Sequence, residues 1–256
     1  MPVRHIAPHI AFGRPLALLA VLAALSGCAN PDAAGGGDDP WEPTNRAMHS
    51  FNKGVDRALL RPASQVYGTV LPEPVRLGVG NVAGNLQVPG AIVNNLLQGR
   101  IEAAGRNTFR FLINSTLGVA GIFDPAASSF GLPEDDSDFG ETLHVWGVGE
   151  GRYVELPLAG PSTERDSWGR LVDLFIDPVG AVLKDNKAAR ARSLQAVDIV
   201  GDRYKFTSTI DSVLYDSADS YAQSRLLFLQ NRRFQLGQAG QTDAEAIDPY
   251  EDPYAQ

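Results

Sequence analysis

Few residues in this sequence are of a type and spacing that could do chemistry. Its one cysteine, Cys28, follows Leu25-Ser26-Gly27 at the exit of an apolar run from Leu16 to Leu25. No disulfide is possible within one chain, so pairing does not explain a thiol at that place. Beyond it stand only two histidines, His49 and His144, too few for a four-ligand Cys/His zinc site. No metal or cofactor is expected. His144, beside Trp146, could act as a general base, but no nucleophile lies at a recognisable spacing, and a packed or surface imidazole is the simpler reading. Gly-x-Ser-x-Gly, His-Glu-x-x-His and phosphate-loop patterns are absent. Gly147-Val148-Gly149-Glu150-Gly151 misses the dinucleotide spacing, because Arg152 stands where a third Gly is needed. The acidic run Glu134-Asp135-Asp136-Ser137-Asp138 begins like a calcium loop. Phe139 then occupies the turn position that wants Gly, and Val145 the twelfth place, where Glu belongs. That run reads as a solvated loop, and the chain as a protein without catalysis.

The thiol therefore carries the most chemistry. Arg4 and Arg14, with no acid nearby, precede the apolar run, and small residues close it, as in a secretory signal peptide. The run is about half the roughly 20 residues that a spanning helix needs. Leu-Ser-Gly-Cys resembles the lipobox of bacterial lipoproteins, in which the cysteine is acylated and becomes the new N-terminus. By the same resemblance, Ala29 rather than Asp directs sorting to the outer membrane. The expected organisation is a signal peptide over 1–27, a lipidated N-terminus and flexible linker over 28–39, a helical domain over 40–236 and an acidic disordered tail over 237–256. The formal charge of -8 is concentrated outside the domain. Trp41 to Leu236 holds 22 acids against 20 bases, so no basic field awaits a nucleic acid.

The domain's pattern is helical. Met48, Phe51, Val55 and Leu59 recur at steps of three and four, with Thr44 placed as N-cap and Pro62 as the stop. Pro62, Pro72, Pro74 and Pro89 each stand where a helix could begin. Gly99 marks a C-terminal stop. A helix is expected from Ile101 to Leu117, with Ile101, Ala104, Phe109, Leu112, Ile113 and Thr116 on one face and Arg106, Asn107 and Arg110 on the other. The stretch Gly118 to Pro161 lacks a helical period, although Tyr153 to Leu156 alternates as a strand that could pair with Leu143 to Trp146. Helical signals return at Ser162, with Trp168, Leu171, Val172 and Phe175 on one face. They continue from Ala188 to about Leu214 and from Asp216 to Gln235. Such faces suit two architectures. Periodicity alone favours the inward faces of a soluble bundle; the other is a set of helices lying in one leaflet.

Several motifs resemble those of the MlaA (VacJ) family of outer-membrane lipoproteins. They run from Asp39-Pro40-Trp41-Glu42-Pro43-Thr44-Asn45-Arg46 through Asn94-Asn95-Leu96-Leu97-Gln98-Gly99 and Arg110 to Gly118. They continue through Gly121-Ile122-Phe123-Asp124-Pro125, Asp138-Phe139-Gly140, Trp146-Gly147-Val148-Gly149 and Leu156 to Asp166. The resemblance implies a mainly α fold: a ring-like arrangement of short amphipathic helices lying in one membrane leaflet, with a Gly-rich irregular loop or short hairpin. It implies a lipid-anchored outer-membrane protein, its body on the periplasmic side and embedded in the inner leaflet. Its function would be to remove mislocalised phospholipid from the outer leaflet through a polar channel, beside trimeric porins. It would pass the lipid to a soluble periplasmic carrier, and so maintain lipid asymmetry. Channel or hinge candidates are Arg110, Asn114, Gly140, Gly147, Gly149, Arg165 and Asp166, with Cys28 as the anchor. The polar ones could equally be structural pairs. One departure is His144, where the family usually has Gly, a change that narrows the allowed backbone angles. The alternative function is a lipid-anchored scaffold that binds porins or cell wall without transport; a lipid hydrolase is a third.

Overall fold

A computed structural model describes residues 39–176, 178 and 186–238. The expected signal peptide, Cys28, most of the linker and nearly all of the tail lie outside the described residues. The linker's last residue does not. Asp39 accepts from Asn45 Nδ2 at 3.2 Å and from the Tyr221 hydroxyl, so the body begins there.

The first helix, α1 (Glu42–Val55), starts earlier than Thr44, since Pro43 presets its first turn. It does not stop at Pro62. A π-helical turn, Asp56–Leu60, carries it without a break into α2 (Arg61–Val70). Pro62 then falls in the first turn of a new segment, where a missing N–H is tolerated. Pro72 and Pro74 do open a helix, α3 (Glu73–Leu97), but Pro89 lies inside it. That helix has 25 residues, so the helices are not all short. None among the described residues is long and apolar enough to cross a membrane. Gly99, at φ +75°, ends α3: Arg100 N donates to Asn95 O at 2.8 Å and Gly99 N to Leu96 O at 3.0 Å, a Schellman closure. The chain turns directly into α4 (Ile101–Thr116), which packs along α3.

The middle of the chain is more ordered than its sequence pattern predicts. Asp124 caps a single turn, α5 (Pro125–Ser128), and Asp138 caps α6 (Phe139–Val145) by accepting from Glu141 N at 2.8 Å. Leu143 to Val145 is thus helical and cannot pair with a strand; the cap outweighs the weak alternation. The strand over 153–156 does form, as β1 (Tyr153–Leu156), and its antiparallel partner is β2 (Gly160–Thr163), with Tyr153 opposite Thr163. Leu158 and Gly160, both at positive φ, make the turn. Helices α7 (Glu164–Ile176), α8 (Asn186–Lys205), α9 (Thr207–Asp211), a second π turn (Ser212–Asp216) and α10 (Ser220–Gln235) complete the described chain.

Packing neighbours close on themselves. The β hairpin meets α1, α2 meets α8, α8 meets α3, α3 meets α6, α6 meets α7, and α7 returns to the hairpin. Polarity across this circuit is inverted. Among the described residues, eighteen polar or charged side chains are buried against eleven apolar ones, while thirty large apolar side chains are exposed. On α4 the buried residues are Ala103, Ala104, Asn107, Arg110 and Asn114, so Ala104 leaves the face expected for it, while Ile101, Phe109 and Leu112 face outward. Phe51, Leu59, Trp168, Leu171, Phe175, Val197 and Phe234 also face outward. The soluble-bundle orientation is therefore wrong. Periodicity fixes the angle between the two faces and leaves open which one meets the interior.

Candidate functional site

The buried stripe of α4 holds down the segment that follows it. Arg110 donates from Nη1 to Leu132 O at 2.5 Å and from Nη2 to Asp124 Oδ2 at 3.1 Å. Asn114 gives its Nδ2 to Asp124 Oδ1 at 2.9 Å and accepts from Ala126 N at 3.1 Å. Asn107 reaches Asp135 O, and Arg106 pairs with Asp135 at 2.9 Å. Burial works against the Asp124 carboxylate, yet the Ala127 N–H, Asn114 and Arg110 together hold its pKa below the usual range. Both terminal nitrogens of Arg110 and both amide atoms of Asn114 are thus committed to the fold, while Arg110 Nε is buried with no acceptor.

The acidic run is only partly solvated. Asp135 and Asp138 are taken by arginines, whereas Glu134 and Asp136 line a cleft of about 200 Å³ with Gln87, Val88, Ala91 and Asn107. Burial, then mutual repulsion with neighbouring acids, pushes both of these carboxyls upward.

A second polar cluster joins three helices. Arg232, on α10, donates to Asp138 from Nη1 at 2.8 Å and Nη2 at 2.7 Å, and to Asp166 from Nε and Nη2, both at 3.1 Å. Burial opposes ionisation of the Asp138 carboxyl, yet Arg232 and the Glu141 and Gly140 N–H groups together hold its pKa low. Arg165 is only 3 % exposed and gives its Nε to Asp166 at 3.2 Å; its Nη2 is buried with no acceptor. Burial, followed by this guanidinium, depresses the pKa of His144. His144 belongs to α6, so it lies in a helix rather than in the glycine loop. Gly140 also lies in α6, where a Cβ would come within 2.6 Å of Asp166 Oδ1 and 2.9 Å of Arg232 Nη2; Gly169 of α7 in turn admits its backbone, since a Cβ there would come within 2.3 Å of Gly140 N.

The glycine loop begins after α6. Val148 N donates to Leu143 O and Gly147 N to His144 O, both at 2.9 Å, with Gly147 at φ +87°. Gly149 has open space where a side chain would be. Gly151, at φ +72°, lies against Glu164.

Sequence reasoning missed Arg232 and Arg233, which stand in the last turn of α10 and pair with acids far up the chain. It also missed the buried Asp56–Arg203 pair at 2.7 Å and the Asn45–Glu155–His49 group beside the hairpin. No local spacing signals these contacts.

Fold and site together define a helical protein of inverted polarity, charged within and greasy without. The family model for MlaA lipoprotein matches residues 37–235. The intermembrane phospholipid transport system lipoprotein MlaA of Escherichia coli K12 is 33% identical over 236 residues, 91% of this chain and 90% of that protein. The protein of the same name from Haemophilus influenzae is 33% identical over 226 residues, 86% and 88% of the two chains. A solved structure bearing on the maintenance of bacterial outer membrane lipid asymmetry aligns with a TM-score of 0.67 at 32% identity, covering 78% of this chain and 100% of that one. The chain belongs to the MlaA lipoprotein family, whose named members above are lipoproteins of a phospholipid transport system.

Proposed function

We propose that this protein takes mislocalised phospholipid from the outer leaflet of the outer membrane, conducts it through the polar interior, and releases it to a soluble periplasmic carrier. Trimeric porins serve as neighbours, and acylated Cys28 as the tether. The observation that carries this reading is the inverted polarity. Fully burying one large apolar side chain is worth about 1.5–3 kcal/mol, so thirty exposed ones represent tens of kcal/mol in an apolar surround. Ordinary net stability is about 5–15 kcal/mol. With no helix both long and apolar enough to span among the described residues, a seat in one leaflet satisfies those faces.

The barrier to transport is the phosphate, which loses its water on entering hydrocarbon. Unfilled buried donors remain on Arg110, Arg165 and Arg203, but of these three only Arg165 commits neither terminal nitrogen to a hydrogen bond, and it is the candidate to meet that charge. Asp166 and Arg232 keep it in place. Arg110 and Asn114 shape the wall instead. Gly147 and Gly149 supply the hinge, while Gly140 locks α6 to α7.

The test is complementation of a deletion strain. Expression of the intact chain should lower outer-leaflet phospholipid, and Arg165→Gln at equal protein level should lower it less. An intact chain that inserts and folds but leaves the lipid untouched would refute the reading.

A further inference from the structure

The three residues after Val148 are held by very little. Among the described residues, Gly149 and Gly151 make no hydrogen bond, and Glu150 supplies both ties of the stretch 149–151. Its carbonyl accepts from Arg165 N at 3.3 Å. Its carboxylate accepts from Arg233 at both oxygens, Nε to Oε2 at 3.0 Å and Nη2 to Oε1 at 3.1 Å. The fork is sheltered, with the Glu150 side chain 12% and that of Arg233 21% exposed. Two-point contacts of this kind are stronger than open surface pairs. One residue earlier on the same helix, Arg232 grips Asp138, the cap of α6. Adjacent arginines of α10 therefore hold the segment 138–151 near both ends, and the glycines at 147, 149 and 151 lie toward the second grip.

We infer that Arg233 is a positioning residue: through Glu150 it sets the resting place of the glycine loop, so that the last turn of α10 is a latch on that loop. Release of the fork leaves 149–151 held by one long backbone contact, with glycines on either side of Glu150 that impose no steric limit. The first grip persists on release, because Arg232 and Asp138 are untouched. The consequence for lipid passage rests on the proposed function: a freed loop passes lipid faster, since loop motion is the permissive step there.

The experiment is a charge swap in the full chain. Arg233→Glu, Glu150→Arg and the double variant are reconstituted in lipid bilayers, and amide exchange at the loop, read at Val148 and at Arg165, whose N–H donates to Glu150 O, is followed beside that of α3. Each single variant should speed exchange in the loop about tenfold, the equivalent of about 1.4 kcal/mol, with α3 unchanged. The double variant should return exchange to within about twofold of the parent. Arg233→Lys, which keeps the charge but loses the fork, should fall between. Unchanged exchange in the single variants, or no rescue in the double, overturns the latch. In a deletion strain the single variants should also lower outer-leaflet phospholipid at least about twofold below the parent chain's level, with return to that level in the swap. Faster exchange without that change overturns the regulatory role. A parent chain that clears no lipid is a separate result: it refutes the transport reading, and the exchange arm still decides whether Arg233 positions the loop.

Discussion

Replacing Asp56 by Ala should destabilise the protein far more than removal of any exposed carboxylate. Asp56 sits in the π turn between α1 and α2 and accepts from Arg203 Nε at 2.7 Å, from Arg203 Nη2 at 3.0 Å and from the Tyr215 hydroxyl at 2.7 Å. The two side chains of the ion pair are 8% and 4% exposed, so the deletion strands a cation with little water to receive it. Breaking such a buried pair costs about 3–5 kcal/mol. Asp211 still accepts from Arg203 at 2.6 Å, which points to the lower end, about 3 kcal/mol. In a chain of this size that corresponds to a fall in Tm of roughly 6–12 °C. The assay is thermal unfolding in detergent micelles, followed by circular dichroism. Asp56→Leu combined with Arg203→Met removes both charges and should recover at least half of the loss. A shift below about 3 °C for Asp56→Ala, or a double variant no better than the single one, contradicts the buried-pair argument.

Gly169→Ala should force α6 and α7 apart, because the new methyl would meet the Gly140 backbone; a loss of about 1–3 kcal/mol or more in the same unfolding assay is expected. Glu134→Gln and Asp136→Asn should raise Tm at pH 7. Both carboxyls have folded pKa values above their unfolded ones, so the folded state prefers the protonated form and loses stability as pH rises through that interval. The gain should shrink as the pH is lowered below the ordinary carboxylate range, and a gain equal at every pH would contradict this. Cys28→Ser should abolish metabolic labelling by palmitate and release the body from sedimented membranes after a high-salt wash; palmitate label retained by the Cys28→Ser variant would refute the anchor.

Local chemistry made several elements legible. Gly99 ends a helix because only a residue at ease at positive φ closes that turn cheaply, and the helix from Ile101 stops one residue short of the expected Leu117. The strand over 153–156 was visible as alternation. The prolines misled where the helix changed its own geometry: a π turn before Pro62 and a long packed helix around Pro89 overrode the local rule. The orientation of the faces was not legible, because period and phase do not name the solvent. The arginine clusters were invisible for a simpler reason. Arg232 stands 94 positions from Asp138, and Tyr221 stands 182 from Asp39, so no window of sequence contains either pair.

The inward turn of Asn107, Arg110 and Asn114, with Phe109 and Leu112 outward, bears on how the chain matures. In bulk water the cheapest collapse of such a polypeptide is the opposite one, which would gather the aromatics together and leave the guanidinium groups wet. In the leaflet seat proposed above, the native topology is reached where oil is already present. Assembly is then a race against premature self-burial, in which a nearby lipid surface is as much a folding determinant as any side chain.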